Sequence, residues 1–352
     1  MRKWLLAAML VPCMAPAQMT LYVASQATER AVGDYYDVGT VAVDGFVETA
    51  FRVRNSSSAP AWLTGLNIGS SGKGIGQFTF KTLPQLPVQL DPAASIDFAV
   101  RFSPSATGSF SAYLNVNGVR TVLTGTGREP EFPRPEIVVS PVDLSGAIQA
   151  RVSVRLASEA KDPGAGELSL EFVPSPAGAT DDPAVLFLAS GRRTVSFSVQ
   201  AGRDVALFSG SEYTEFQTGT TAGSIRFTAK LGPYVEQLTV TVPSAAVVLH
   251  TAHLLRSSSG VEVQLAGFDT SRTACRLGFT FFDRQGRPIS PGEMQVDASK
   301  PFQDYFTGSR LGGMFTLRAV FAVHGDASQI GGVDVYIVNS YGTTRTARLA
   351  VE

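Results

Sequence analysis

Apolar residues recur at every second position along most of this chain, and that period of two constrains the fold more than any other feature. Val47, Thr49, Phe51 and Val53 make one such run. Ile96, Phe98, Val100 and Phe102 repeat it before the turn at Ser103-Pro104, and Ala112, Leu114 and Val116 repeat it again between Gly108 and Gly118. A period of two puts alternate side chains on opposite faces of a strand, so each run predicts a half-buried strand with a polar outer face. Long helical periodicity is almost absent. The fold class is therefore all-β.

Further along, Val152/Val154/Leu156, Leu168/Leu170/Phe172, Val195/Phe197/Val199, Ile225/Phe227/Ala229 and Leu238/Val240/Val242 follow with Pro or Gly between most runs. A last series contains Cys275/Leu277/Phe279/Phe281, the long run Phe315/Leu317/Ala319/Phe321/Val323, and Val333/Val335/Ile337. Pro301 to Phe306 reads as a single helical turn with Phe302, Tyr305 and Phe306 packing on one side. Short, evenly spaced strands predict β-sandwiches. Two proline-containing stretches divide them. Gly125 to Pro135 carries Pro130, Pro133 and Pro135, which remove backbone donors and stiffen the chain, and Pro243 to Ala246 is the second junction. The expectation is three consecutive immunoglobulin-like sandwiches, 18–128, 129–245 and 246–352, after a signal peptide at 1–17.

That leading segment has a basic pair, Arg2 and Lys3, an apolar run from Trp4 to Val11, and a small-residue site at Ala15-Pro16-Ala17, with cleavage expected before Gln18. A lipid on Cys13 is the alternative, but Pro12 occupies the place of the small residue needed before it. No later stretch reaches the roughly 20 apolar residues that span a bilayer. Ala347 to Glu352 alternates as a last strand. Processing takes the formal charge from -1 to about -3, which argues against nucleic acid or anionic membrane as partner. It leaves Cys275 as the only thiol. An exported chain with one cysteine has no internal disulfide, so each sandwich must be held by its own core.

The first sandwich resembles the ASH-type immunoglobulin-like family, named for the ASPM, SPD-2 and hydin proteins, together with its bacterial relatives. The resemblance is carried by Phe51-Arg52-Val53-Arg54-Asn55, Leu63 to Ile68, Phe78, the Pro92 turn, Phe98-Ala99-Val100-Arg101-Phe102-Ser103-Pro104, Gly108, Leu114, and Leu123-Thr124-Gly125-Thr126-Gly127. It covers residues 20 to 128. What it implies is a binding or spacer module, with no catalytic residues to carry over. Phe216-Gln217-Thr218-Gly219-Thr220-Thr221-Ala222-Gly223 and Gly267-Phe268-Asp269-Thr270-Ser271-Arg272 look similar to repeated modules of secreted proteins from soil bacteria, and this implies no activity.

No constellation for catalysis is visible. His250 and His253 lie three apart in a strand pattern and so face opposite sides unless a bulge intervenes. His324 and Asp326 follow a strand, and no G-x-S-x-G elbow supplies a nucleophile. Cys275 shares register with core residues and reads as a small hydrophobe. Gly72, Gly74 and Gly76 lack the G-K-[ST] ending and following helix of a phosphate loop. Asp181-Asp182, Asp283, Glu293, Asp297, Asp304 and Asp326 fall at sandwich ends without a D-x-D-x-D pattern for calcium. Asn55-Ser56-Ser57 has the form of a glycosylation acceptor and reads as a strand-end turn.

The expected function is a non-catalytic, secreted, periplasmic or cell-surface protein of spacer and adhesion modules, with no cofactor and no metal. Its partner would be a protein or an envelope polysaccharide, met by end loops or an exposed strand edge. Gly72, Lys73 and Gly74 in one loop and Phe216, Gln217 and Thr218 in another are the candidate binding residues. Two alternatives are open. A carbohydrate-binding accessory protein would use exposed aromatics among Trp62, Tyr113, Tyr213, Tyr234 and Tyr305. A periplasmic chaperone-like assembly factor would use Arg128 and Arg134 as a basic anchor.

Overall fold

The computed structural model describes residues 19–24, 29–70, 76–179, 181–257 and 260–352. The signal segment and Cys13 lie outside them. The chain divides into two compact units, residues 1–131 with 161–164, and residues 132–160 with 165–352. No helix among the described residues is long and apolar enough to cross a membrane.

The first unit contains β1 (Met19–Ala24), β2 (Glu29–Ala31), β3 (Tyr35–Ala42), β4 (Val47–Asn55), β5 (Ala61–Leu63) and β6 (Leu66–Ser70). It continues with β7 (Phe78–Thr82), β8 (Val88–Leu90), β9 (Ser95–Phe102), β10 (Gly108–Val116) and β11 (Val119–Arg128). Their order is β2-β1-β4-β9-β7 in one sheet and β3-β11-β10-β6 in the other, with β5 and β8 paired apart. The alternation is realised as predicted: Phe51, Val53, Phe98, Val100, Phe102, Ala112, Leu114 and Val116 are all buried. Phe51 stacks on Phe98 at 5.5 Å and Phe78 on Phe102 at 4.7 Å, contacts that add to the burial of each ring. The outer face of the five-stranded sheet is laced by ions: Arg52 bridges Glu29 and Asp97, and Arg101 holds Glu48. Residues 161–164 complete the unit. There the buried carboxylate of Asp162 accepts Arg128 Nη1 at 2.7 Å, Nη2 at 2.8 Å and Glu131 N at 2.8 Å.

The second unit opens with a sandwich of β12 (Pro135–Ser140), β13 (Gln149–Leu156), β14 (Gly164–Pro174), β15 (Leu186–Phe187), β16 (Thr194–Val199), β17 (Thr214–Gln217), β18 (Gly223–Leu231) and β19 (Tyr234–Val242). The sheets are β12-β13-β17-β15 and β16-β14-β18-β19. Between them Phe187, Phe216, Phe227, Leu168 and Ile225 form a core closed to solvent.

A second sandwich in the same unit holds β20 (Val248–Ser257), β21 (Gly260–Phe268), β22 (Arg276–Asp283), β23 (Pro288–Asp297), α1 (Ser299–Gly308), β24 (Met314–Ala322), β25 (Ile330–Asn339), β26 (Gly342–Arg345) and β27 (Leu349–Ala350). Its sheets are β20-β21-β24 and β23-β22-β25-β26, with β27 pairing β25. The expected helical turn is a ten-residue helix, α1. Phe302 and Phe306 enter the core and meet Phe315, whereas Tyr305 is 40% exposed and leaves the face predicted for it. Helical spacing explains the difference: Phe302 and Phe306 are four apart on one stripe, and Tyr305 falls beside it.

Candidate functional site

Gly72, Lys73 and Gly74 lie outside the described residues. Among the described residues, the end of β6 and the start of β7 line a cleft of about 480 Å³ whose apolar lining includes Leu66, Ile68, Phe78 and Phe80.

The other candidate loop is placed inside the protein. Phe216 and Thr218 have no solvent exposure, and Gln217 is partly covered. Phe216 meets the ring of Phe227 edge-on at 4.9 Å. Thr218 Oγ1 donates to Ser145 O at 2.8 Å and accepts from Ile148 N at 3.1 Å. Any partner reaching this segment would find Gln217, not its two neighbours.

From Thr218 onward the segment builds a buried polar joint between the two sandwiches of the second unit. Asp182 is fully buried, and its Oδ2 accepts Thr220 N at 2.7 Å and Thr220 Oγ1 at 3.2 Å. The Thr220 hydroxyl accepts in turn from Gly313 N at 2.9 Å. Gly313 O then accepts Asp269 N, and Thr270 O accepts Ala222 N, both at 2.9 Å. Asp269 is also fully buried. Its Oδ1 accepts Ser271 N, Ser271 Oγ and Asn339 Nδ2, and its Oδ2 accepts Thr273 N and Ala274 N, all at 2.7–3.0 Å. A buried carboxylate is tolerable when its lone pairs are filled in this way.

Two glycines make the closeness possible. A Cβ on Gly312 would sit 2.4 Å from Asp182 Oδ2 and from Thr220 Oγ1, and Gly312 has φ +64°; a Cβ on Gly313 would sit 2.4 Å from Asp269 O and Thr220 O. Arg272 reaches across to Thr221 Oγ1 at 3.2 Å while its Nε has no partner. Burial lowers its pKa against the opposing pull of Asp182. The two segments singled out in the sequence, 216–223 and 267–272, are thus two sides of one joint, completed by Asp182, Gly313 and Asn339 from elsewhere in the chain.

Most of the remaining candidates are engaged in local structure. The ladder of β20 and β21 shifts register at His250, so simple alternation does not govern the histidine pair. His250 packs by Phe268 and His253 Nδ1 bonds Glu352. Asp326 caps the 3-10 turn at Ala327–Gln329 by accepting from Ser328, and those bonds and Gln329 hold its carboxyl down at about 2. Cys275 is half-buried just before β22, with Sγ 3.5 Å from Val338 O. Asp181 pairs with Arg193, Asp283 with Arg287 and Asp304 with Lys300, while Glu293 accepts from Tyr336 and Gln295. Asp297 accepts from Ser299 N. Among the described residues no three His, Cys, Asp or Glu side chains group to hold a metal. Asn55 is buried, with Nδ2 donating to Ala59 O and Leu90 O. Arg120 lies over the ring of Tyr113 and Arg151 over that of Tyr213, while Trp62, Tyr213 and Tyr234 remain exposed. Arg128 is occupied by Asp162 and Arg134 by Glu236.

A further cleft lies in the last sandwich. At a flank of the last sandwich, β23 and β24 are both edge strands, and a cleft of about 470 Å³ opens between them. Phe281, Ile289, Met294 and Phe321 give it an apolar lining, and Ser290 and His324 belong to its rim.

No protein family matches the chain by sequence, and no curated protein matches it. Among solved structures, the chain is similar to the ASH/PapD-like domain 7 of human CEP192, at 11% identity and TM-score 0.23, over 37% of this chain and all of that one. It is similar to the Yersinia pseudotuberculosis adhesin InvE at 14% identity and TM-score 0.31, over 63% of this chain and 64% of the adhesin. It is similar also to the Escherichia coli adhesin FdeC at 12% identity and TM-score 0.24, over 89% and 94% of the two chains.

Proposed function

We propose that this is a non-catalytic exported protein of the cell envelope or extracellular space, in which immunoglobulin-like modules act as spacer and binding elements. The observation that carries the reading is the polar joint: Gly313 N donates to Thr220 Oγ1 and Ala222 N to Thr270 O across the two sandwiches, beside the buried carboxylates of Asp182 and Asp269, as a spacer that presents surfaces at fixed orientation requires. The export segment at 1–17 and the ASH-type resemblance of residues 20 to 128 support the compartment and the module class. Asp181, Asp283, Asp326 and His253 are committed to ion pairs and a cap, and Asp182 and Asp269 to the joint. The protein partner or envelope polysaccharide is met by exposed loops or strand edges.

The experiment is binding of the purified mature chain to peptidoglycan, polysaccharide and whole cells, with an ester and glycoside turnover panel alongside. Saturable binding with no turnover is the expected result. Turnover above background on the panel would sink the reading.

A further inference from the structure

We propose that the free edge of β24 is a docking site for an extended polypeptide segment of alternating apolar and polar residues. The partner adds as a fourth strand to the β20-β21-β24 sheet and lays its apolar side chains into the cleft between β24 and β23. This deepens the binding-module reading above and rests on it.

Among the described residues β24 pairs with β21 alone, in an unbroken nine-residue antiparallel register. Its far side therefore presents a row of backbone donors and acceptors, which only another extended backbone satisfies in series. Natural edges are usually blunted by proline, bulges, short length or charge. The facing edge β23 is blunted, with Pro288 and Pro291 in the strand and a register shift against β22. β24, Met-Phe-Thr-Leu-Arg-Ala-Val-Phe-Ala, has no proline, no glycine and no shift, and Val320 is 65% exposed. The other nine-residue edge, β19, carries Glu236 bound to Arg134.

The cleft sets the alternation of the partner. Side chains from an added strand point by turns toward the other sheet and away from it. Those pointing inward meet Phe281, Ile289, Met294 and Phe321, and about 470 Å³ lies within the range of ligand-sized clefts. Those pointing outward run beside Arg318, the only charged side chain of β24, which already bonds Glu262 on the neighbouring strand. An acid on the added strand supplies a second carboxylate on the free side of the same guanidinium. A second copy of this chain fits less well: pairing β24 with itself about Arg318 sets like charges opposite each other, and each copy keeps its own β23 beside its own cleft.

The probe is a labelled synthetic peptide of residues 260–268, Gly-Val-Glu-Val-Gln-Leu-Ala-Gly-Phe, the strand already complementary to β24, with blocked ends. Against the full mature chain it should bind saturably and slow hydrogen exchange at those β24 amides that β21 leaves unbonded, with no change in β19. Methylating alternate backbone nitrogens of the peptide should weaken binding roughly tenfold or more, and so should Ser290→Trp, which fills the cleft from an exposed rim position without touching the core. Absence of binding, protection elsewhere, or equal binding of the methylated peptide overturns the proposal. Self-association through β24, seen by sedimentation, gives the edge to a second copy and also overturns it. If the peptide fails while envelope polymers still bind, this inference falls and the wider reading remains.

Discussion

Thr220 offers both of its donors to Asp182, the amide at 2.7 Å and the hydroxyl at 3.2 Å, on a carboxylate with no exposure to solvent. Asp182→Ala strands the Thr220 amide in a dry joint, where an orphaned buried donor costs about 1–3 kcal/mol. The variant should lose about that much in urea denaturation, and the two sandwiches of the second unit should begin to unfold separately. Probes placed in each, following their own transitions, would reveal it. Coincident transitions at wild-type stability would refute the role of the joint.

Gly312 tests the same joint by volume. Its Cβ would fall 2.4 Å from two polar atoms, and its φ of +64° strains any L side chain. Gly312→Ala should therefore destabilise by about 1–3 kcal/mol, whereas Gly33→Ala, with open space around it and no left-handed backbone, should be nearly silent. Thermal melts of the two variants give the comparison.

Asp269 gathers five donors on two oxygens. An amide in its place keeps one acceptor and turns a second donor toward N–H groups. If the oxygen faces Ser271, the new NH2 opposes Thr273 N and Ala274 N. Asp269→Asn should cost about 2–4 kcal/mol by the logic of unmet buried donors, more than Asp304→Asn at the exposed i,i+4 pair with Lys300. Chemical denaturation of both ranks them.

Acid should loosen the first unit through Asp162. Burial opposes its ionisation, but the Arg128 bonds and the Glu131 amide outweigh burial and hold the carboxyl below its ordinary value. A carboxyl depressed in the folded state contributes stability that is full above its unfolded value of about 3.9 and is lost as pH falls through the folded one. Asp162→Asn should thus melt below wild type at neutral pH, and the gap should close below about pH 4. A gap that is constant with pH would refute the linkage.

Strands were legible in the sequence because burial follows a period of two that needs no knowledge of partners. Phe51, Phe98, Leu168, Phe227, Phe279 and Val335 are all buried where alternation puts them. The joint was not legible for the opposite reason. Thr218, Thr220 and Asp269 belong to residue types that favour turns and solvent, and their burial depends on partners far along the chain: Thr220 meets Gly313 across 93 positions and Asp269 meets Asn339 across 70. The only signal was the unusual density of small and polar residues at 218–223 and 267–272. Likewise, the bulge at His250 leaves no mark in local spacing, since one inserted residue is invisible until the neighbouring strand is known.

The sheet that carries β22 and β25 offers a prediction that separates packing from polarity. Tyr336 is 7% exposed although it lies on the outer side of its strand, because its ring covers Gly278 on β22. Its hydroxyl donates to Glu293 at 3.0 Å, and Arg345 lies 4.9 Å from the ring centroid. Burial and then the Glu293 bond raise the phenol above its usual value. A methyl group on Gly278 would fall 1.9 Å from the ring, so Gly278→Ala must lift Tyr336 off the sheet. The expected loss is about 1–3 kcal/mol, as for overpacking, together with a phenol titration that returns toward about 10 in an ultraviolet pH scan. The double variant Gly278→Ala with Tyr336→Ala should regain part of the stability lost by the first change, because the clash goes with the ring. Additive losses in the two single variants would mean that ring and glycine are not in contact.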